Sequence, residues 1–346
     1  MNWSLEDVEN GWRTGKGGAQ DGRSTLVPLK ITGNMYKIGQ HAEVSMSIHI
    51  GKRSIFLIFP VLLALAGFAL SQDIEKIQIA TTELGDGIYM LTGAGGNIGV
   101  CAGAAGVLLI DSQFPQVHDK IVAALAAISP GPVRFLLNTN WHYDHVMGNE
   151  LFGKKGAVII AHETARERMG KVQIHKDLEI TLPPYPAPAL PALTVPDSLT
   201  LHFNNEVLKV RHFPNAHSDS DLLFRFQKAN VIHSGDLLFS SMYPYIDVPH
   251  GGSINGMIAA ADEILRMCDV DTRLIPGHGP VMKRDEVTAF RDMLVSVRDR
   301  VAALIKEGKS DKEILAAKPT ADLDALWQKG IPADLLVQLV YDSLKK

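Results

Sequence analysis

Asn140-Trp141-His142-Tyr143-Asp144-His145 is the stretch whose reading decides this chain. It places two imidazoles and a carboxylate side by side in sequence. The apolar run VRFLLNT at 133–139 precedes it and predicts a buried strand, so the cluster sits at a strand-to-loop edge. Alternate side chains of an extended segment point the same way. Asn140 and His142 can then face one cation while Asp144 and His145 face a second. Nitrogen and oxygen donors of this type hold zinc at about 2.0–2.2 Å.

Three later residues repeat the pattern of a ligand-type side chain at a strand end. His217 lies in PNAHSD at 214–219, Asp236 in SGD at 234–236, and His278 in PGHGP at 276–280. Small neighbours leave room around each, and Gly and Pro stiffen the backbone that carries it.

Outward from these points the periodicity switches between strand and helix. IQIATTEL, GIYMLTG, NIGVCAG and GVLLIDS, within 77–112, read as hairpin strands with Gly at the turns. GAGGNIG lacks the spacing of a dinucleotide fingerprint. HDKIVAALAAI at 118–128 has helical period, and Pro130-Gly131-Pro132 ends it. GAVIIAH at 156–162 is a further strand, followed by a helix to about Met169. The Pro-rich stretch 182–196 reads as an extended surface excursion, because strands resume from 198 to 236. A helix over INGMIAAADEILRMC, a strand over TRLIPGH and a mostly helical tail from Glu286 to Ser343 complete the chain. Strands followed by a helix, twice over, predict an α/β fold of two packed sheets with helices outside.

Composition narrows the function. The 346 residues are 46% hydrophobic and 21% charged, ordinary globular proportions that exclude collagen-like, coiled-coil and wholly disordered chains. The net charge is −4 and no basic block stands out, which argues against a nucleic-acid partner. Cys101 and Cys268 are the only cysteines, so a disulfide framework and a CxxC zinc site are excluded.

The apolar run SIFLIFPVLLALAGFAL at 54–70 follows Lys52 and Arg53 and ends in Ala69-Leu70-Ser71. That is the anatomy of a signal peptide. At about 17 residues it sits at the short limit for a span, and Pro60 interrupts it. The expectation is a signal peptide over 46–71 starting at Met46, a mis-called or disordered extension over 1–45, and cleavage near Ser71. The mature protein would be periplasmic or secreted, with no stable membrane span.

The run Asn140-x-His142-x-Asp144-His145 resembles the HxHxDH motif of the metallo-β-lactamase superfamily, with Asn in place of the first His. His217, Asp236 and His278 match the family's later ligands in order and approximate spacing, and Asp111 in VLLIDS matches its structural Asp. The resemblance implies an αββα sandwich over 72–282 with metals at one edge of the paired sheets. Helices over 283–346 would pack on the same domain, and a homo-oligomer is left open. Site one would hold Asn140, His142 and His217, site two Asp144, His145 and His278, with Asp236 bridging. One or two Zn2+ ions are implied; iron or manganese stay open, since oxygen-rich sites accept harder metals. A neutral amide is a weaker ligand than imidazole, so site one should bind more loosely.

Such a site activates water for attack on a carbonyl carbon of a small-molecule substrate. Asp144 is the expected catalytic residue, holding or accepting the proton of that water. Export and Asn140 favour a β-lactam or related cyclic amide. Asp236 favours a thioester, ester or lactone, because true β-lactamases usually carry Cys or Ser there. A metal-binding module without catalysis is the reading of another class. His162, His175, His202, His212 and His233 read as structural or surface residues, and His250 as the one whose loop can reach the metal edge. Tyr243, Tyr245 and Asp247 read as loop packing or pocket wall, Trp141 and Tyr143 as site cover or core, and Ser253 as a helix N-cap.

Overall fold

A computed structural model describes residues 76–175 and 180–346. The expected extension at 1–45 and signal peptide at 46–71 lie outside the described residues, as does the side chain of His175. Strands run in chain order as β1 (Ala80–Glu83), β2 (Ile88–Thr92), β3 (Ile98–Gly103), β4 (Gly106–Ile110), β5 (Val133–Leu137), β6 (Val158–His162) and β7 (Gln173–His175). There follow β8 (Ile180–Leu182), β9 (Leu193–Val195), β10 (Ser198–Phe203), β11 (Glu206–Phe213), β12 (Asp221–Phe226), β13 (Val231–Phe239) and β14 (Arg273–His278).

One sheet has the order β1-β2-β3-β4-β5-β6-β9 and the other β10-β11-β12-β13-β14, while β7 and β8 pair separately. The first sheet is antiparallel through β4 and parallel from β4 to β9. The second is antiparallel through β13, with β14 added in parallel.

The period of two along each strand divides its side chains between two cores. On β4, Leu108 and Ile110 face the opposite sheet, where they meet Leu208, Leu222, Phe224 and Phe226. Val107 and Leu109 face the other way, onto Ile121 and Leu125 of the helix His118–Ile128. β4 and β13 are buried along their whole length because both of their faces are covered. On the far side, Leu223, Ile232 and Leu274 meet the apolar stripe of the helix Ile254–Met267. That stripe (Ile254, Met257, Ile258, Ala261, Ile264, Leu265) recurs at three- and four-residue spacing. The layers are therefore helix, sheet, sheet, helix.

The tail is helical as its period predicts, in the segments Arg284–Lys306, Asp311–Ala316, Asp324–Trp327 and Ala333–Lys345. Val287, Phe290, Leu294, Leu336 and Val340 join the outer core of the second sheet. The Pro-rich excursion is more ordered than its composition suggests. Its Leu193–Val195 end pairs in parallel with β6 and extends the first sheet. Among the described residues, no helix is long and apolar enough to cross a membrane.

Phe224 is fully buried between the two sheets. Phe224→Ala should cost about 3–5 kcal/mol in urea unfolding. A loss below about 1 kcal/mol would show that the sheets do not close on this ring.

Candidate metal centre

Parallel strands deliver their C-terminal ends to one edge, and here the chemistry-bearing residues gather. Asp111 follows β4, the segment 138–142 follows β5, and His278 ends β14. Asp236 sits within β13 at a break in its register against β14. His217 lies in the turn before β12, which Asp221 pins through the Ser218 N–H (2.8 Å) and hydroxyl (2.6 Å). The Leu222 N–H donates to the Thr139 carbonyl at 2.7 Å and ties the two sheets together at this edge.

Two groups of donors converge. His142, His217 and Asp236 form one; Asp144, His145 and His278 form the other; within each, the donor atoms lie within 4.8 Å of one another. His142 Nδ1 and His217 Nε2 are 2.9 Å apart. Asp236 Oδ2 lies 3.2 Å from His217 Nε2 and 3.1 Å from His145 Nε2, while Oδ1 lies 3.4 Å from His278 Nε2. One carboxylate thus reaches both groups. Asp144 Oδ2 approaches His278 Nε2 at 3.3 Å and His145 Nε2 at 3.6 Å.

Asn140 departs from the ligand role expected of it. Its carboxamide oxygen accepts the His142 N–H at 2.8 Å, and its amide nitrogen donates to Asp236 Oδ2 at 3.1 Å. A backbone N–H demands an acceptor, so the amide cannot be flipped without breaking both bonds. In this arrangement the side chain braces two of the donors, His142 and Asp236.

A second ring of groups fixes the imidazoles. Asp111 is fully buried and holds a left-handed backbone (φ 68°). Its carboxylate accepts from the Thr139 N–H (2.8 Å) and hydroxyl (2.7 Å) and lies 2.7 Å from His145 Nδ1. His142 Nε2 is 2.8 Å from Asp247 Oδ2, and Asp247 Oδ1 is 2.7 Å from His250 Nδ1. His217 Nδ1 donates to the Tyr245 carbonyl at 2.9 Å. In each case the nitrogen turned away from the cluster is occupied, which aims the other inward. Gly96 closes the floor: a Cβ there would stand 2.2 Å from His145 Cε1.

Burial alone would push the imidazoliums of His142, His145 and His278 down, but the facing carboxylates outweigh it and hold all three above the ordinary value, His145 well above. Burial alone would raise Asp144 and Asp236; the imidazoles beside them instead hold both below the usual carboxylate range, Asp236 well below. This donor set suits a divalent cation. Among the described residues, His145 Nε2 and Asp236 Oδ1 are buried and, although charged groups lie close, neither makes a hydrogen bond. Buried polar atoms left so are uncommon and mark a missing ligand. Asp144, His145 and His278 could hold one ion and His142, His217 and Asp236 another.

The remaining histidines divide by environment. His233 is buried, donates through Nε2 to the Asn97 carbonyl and accepts the Gly235 N–H at Nδ1, and burial lowers it to about 4. His162 caps the helix Glu163–Met169 and stacks on His212. His250 is linked to the centre through Asp247, which also holds His142. Trp141 is buried with its ring edge-on to His142 and His250, and Tyr143 lines the cavity beside the donors. Ser253 accepts the Gly256 N–H as an N-cap. Asp247 is the functional neighbour that sequence reading left among loop residues; an acid three places before His250 was its only signal.

Two outcomes follow from this geometry. Asp247→Asn removes the charged acceptor behind His142 and should weaken metal retention about 10–100-fold in chelator competition; unchanged affinity would show that the contact does not position His142. In metal-free protein, the raised imidazoles stabilise fully below the unfolded value of 6.5 and lose that contribution as pH rises through the folded values. A cation needs the same nitrogens unprotonated. Above about pH 6.5, stability should fall with pH in chelated protein and rise in zinc-loaded protein. Parallel slopes would show that these nitrogens do not face a cation.

The comparisons with known proteins agree on the fold. The family profile described as "Metallo-beta-lactamase superfamily" matches residues 91–278. A hydroxyacylglutathione hydrolase of Pelagibacter ubique is 30% identical over 109 residues, which is 31% of this chain and 37% of that protein. A hydroxyacylglutathione hydrolase of Polaromonas sp. is 27% identical over 194 residues, 56% of this chain and 64% of that protein. The chain thus spans less than two thirds of each of these relatives. Among solved structures, the DIM-1 metallo-beta-lactamase covers 63% of this chain and 98% of its own at 13% identity and a TM-score of 0.51. The sec-alkylsulfatase Pisa1 from Pseudomonas sp. covers 76% of this chain and 50% of its own at 15% identity and a TM-score of 0.57. A profile spanning more than half of the 346 residues, on a fold shared with those structures, makes this protein a member of the metallo-beta-lactamase superfamily.

Proposed function

We propose that the chain is a zinc-dependent hydrolase of acyl compounds, acting on a thioester, ester or lactone in preference to a β-lactam. The observation that carries this reading is the convergence of two His/Asp groups on the single carboxylate of Asp236. The hydroxyacylglutathione hydrolases support acyl transfer to water, although they match over only part of their length.

Divalent cations held by the two groups would lower the pKa of water towards neutrality and polarise the substrate carbonyl. The chain's own residues do the rest. Asp144 is held ionised and faces the cavity, where it accepts a hydrogen bond from the attacking water and orients it. Asp111, Asp247 and the Tyr245 carbonyl keep the imidazoles aimed inward. Phe239 and Met242 wall the cavity and exclude bulk water.

Export belongs to the same proposal, resting on the apolar run at 54–70 and its small-residue end. N-terminal sequencing of the native protein should begin near Gln72; a peptide from 1–45 would overturn it.

The activity test is chelator-sensitive turnover by zinc-loaded protein of 4-nitrophenyl acetate, a lactone and a cephalosporin. Turnover of the acyl compounds is expected, and Asp144→Asn should lower kcat by about 10²–10⁴-fold. Faster turnover of the cephalosporin would make it a β-lactamase. Metal-holding protein that turns over none of the three would leave a binding module.

A further inference from the structure

The donor groups form one side of a cavity of about 220 Å³. Phe239, Met242, Tyr243, Tyr245, Gly330 and Ile331 complete its lining. Gly330 and Ile331 come from the tail, outside residues 91–278 that match the superfamily. This part of the wall is therefore supplied by the chain's own extension.

The extension is held firmly against the cavity loop. The Tyr243 N–H donates to the Trp327 carbonyl at 2.7 Å, and the Tyr243 hydroxyl donates to Asp324 at 2.9 Å. Tyr243 is fully buried, and that second bond commits its hydroxyl to the tail. Trp327 packs against Phe290 of the long helix Arg284–Lys306. Gly330 lies so close that a Cβ there would stand 2.4 Å from the Tyr243 carbonyl oxygen. Ile331 follows directly and reaches the cavity. On the donor side, Phe239 stacks on His278 with ring centroids 5.2 Å apart, so the apolar wall begins where the metal-facing side ends.

Besides its tyrosines, the ionisable residues lining this cavity are histidines and aspartates of the candidate centre; no lysine or arginine lines it among the described residues. A substrate carboxylate lodged against the apolar wall would lose its hydration and meet no lysine or arginine there in exchange. An uncharged acyl chain would bury apolar area there at no such cost.

We propose that the tail segment ending in Gly330-Ile331 is the specificity wall of the site, and that it selects uncharged acyl substrates with a small apolar acyl group over substrates bearing a carboxylate. This rests on the acyl-hydrolase reading above. It separates the chain from a glutathione thioesterase, whose substrate carries carboxylates.

The test compares 4-nitrophenyl butyrate with mono-4-nitrophenyl succinate, esters that share a leaving group and differ by a terminal carboxylate. The full-length zinc-loaded protein should prefer the butyrate in kcat/KM by about tenfold or more. Ile331→Lys places a cation at the wall and should move the ratio towards the succinate by a similar factor, chiefly through KM, with zinc content unchanged. Met242→Lys does the same from the neighbouring loop, should Ile331→Lys fail to fold. Equal use of the two esters by the wild type, or a ratio that neither lysine moves in folded, zinc-holding protein, would overturn the specificity wall while leaving the hydrolase reading in place. Metal-holding wild type that turns over neither ester, nor the lactone and the cephalosporin of the activity test above, would overturn both.

Discussion

The Asp236 carboxylate is the constraint around which the rest of this edge is arranged. It stands where two sheets meet and lies within 3.4 Å of imidazoles from three separate segments, His145, His217 and His278. Taken alone, so many buried dipoles and charges would be costly to desolvate. Together they compensate one another: the carboxylates favour the imidazoliums of His145 and His278, which in turn hold Asp144 and Asp236 ionised, and a cation can take the place of those protons. The same feature that makes the cluster expensive to bury makes it a candidate metal centre.

Holding such a cluster in place takes structure from far along the chain. Asp111 accepts an unfavourable left-handed backbone because its carboxylate ties β4 to Thr139 and to His145. Asn97 donates to the Pro276 and Gly279 carbonyls at 2.9 and 2.8 Å and so fixes the loop that carries His278. Asn140 braces His142 and Asp236 at once. None of these three is a metal donor in the arrangement seen, yet each sets the position of one.

The division of labour between core and tail follows from the layering. The two sheets and the helices beside them place the donors, and these lie in the part of the chain that the superfamily profile spans. The tail helices first complete the outer core of the second sheet, and only then does their connecting turn reach the cavity. A segment anchored by its own apolar face can vary at its tip without disturbing the donors. A wall built this way is a natural place for specificity to reside.

Much of this was legible in the sequence. Period-two runs located most strands, and the helix 118–128 was bounded by its own periodicity and by Pro130. The candidate donors were picked out by the resemblance of their order and spacing to the family motif, with Asp236 and His278 also marked by the Gly beside them. What stayed hidden depends on contacts between distant segments. The role of Asn140 rests on a bond to Asp236 across 96 positions, and Asp247 reaches His142 across 105. The pairing of 193–195 with β6 came from the sheet's open edge, not from any signal in a Pro-rich run. Gly330 and Ile331 carry no motif at all. The sequence by itself determined which side chains could bind a cation and in what order, because donor chemistry and strand period are local properties. Only the tertiary structure decided which nitrogen each imidazole presents, which polar groups merely brace, and what walls the cavity, because those are settled by packing between residues the chain keeps far apart.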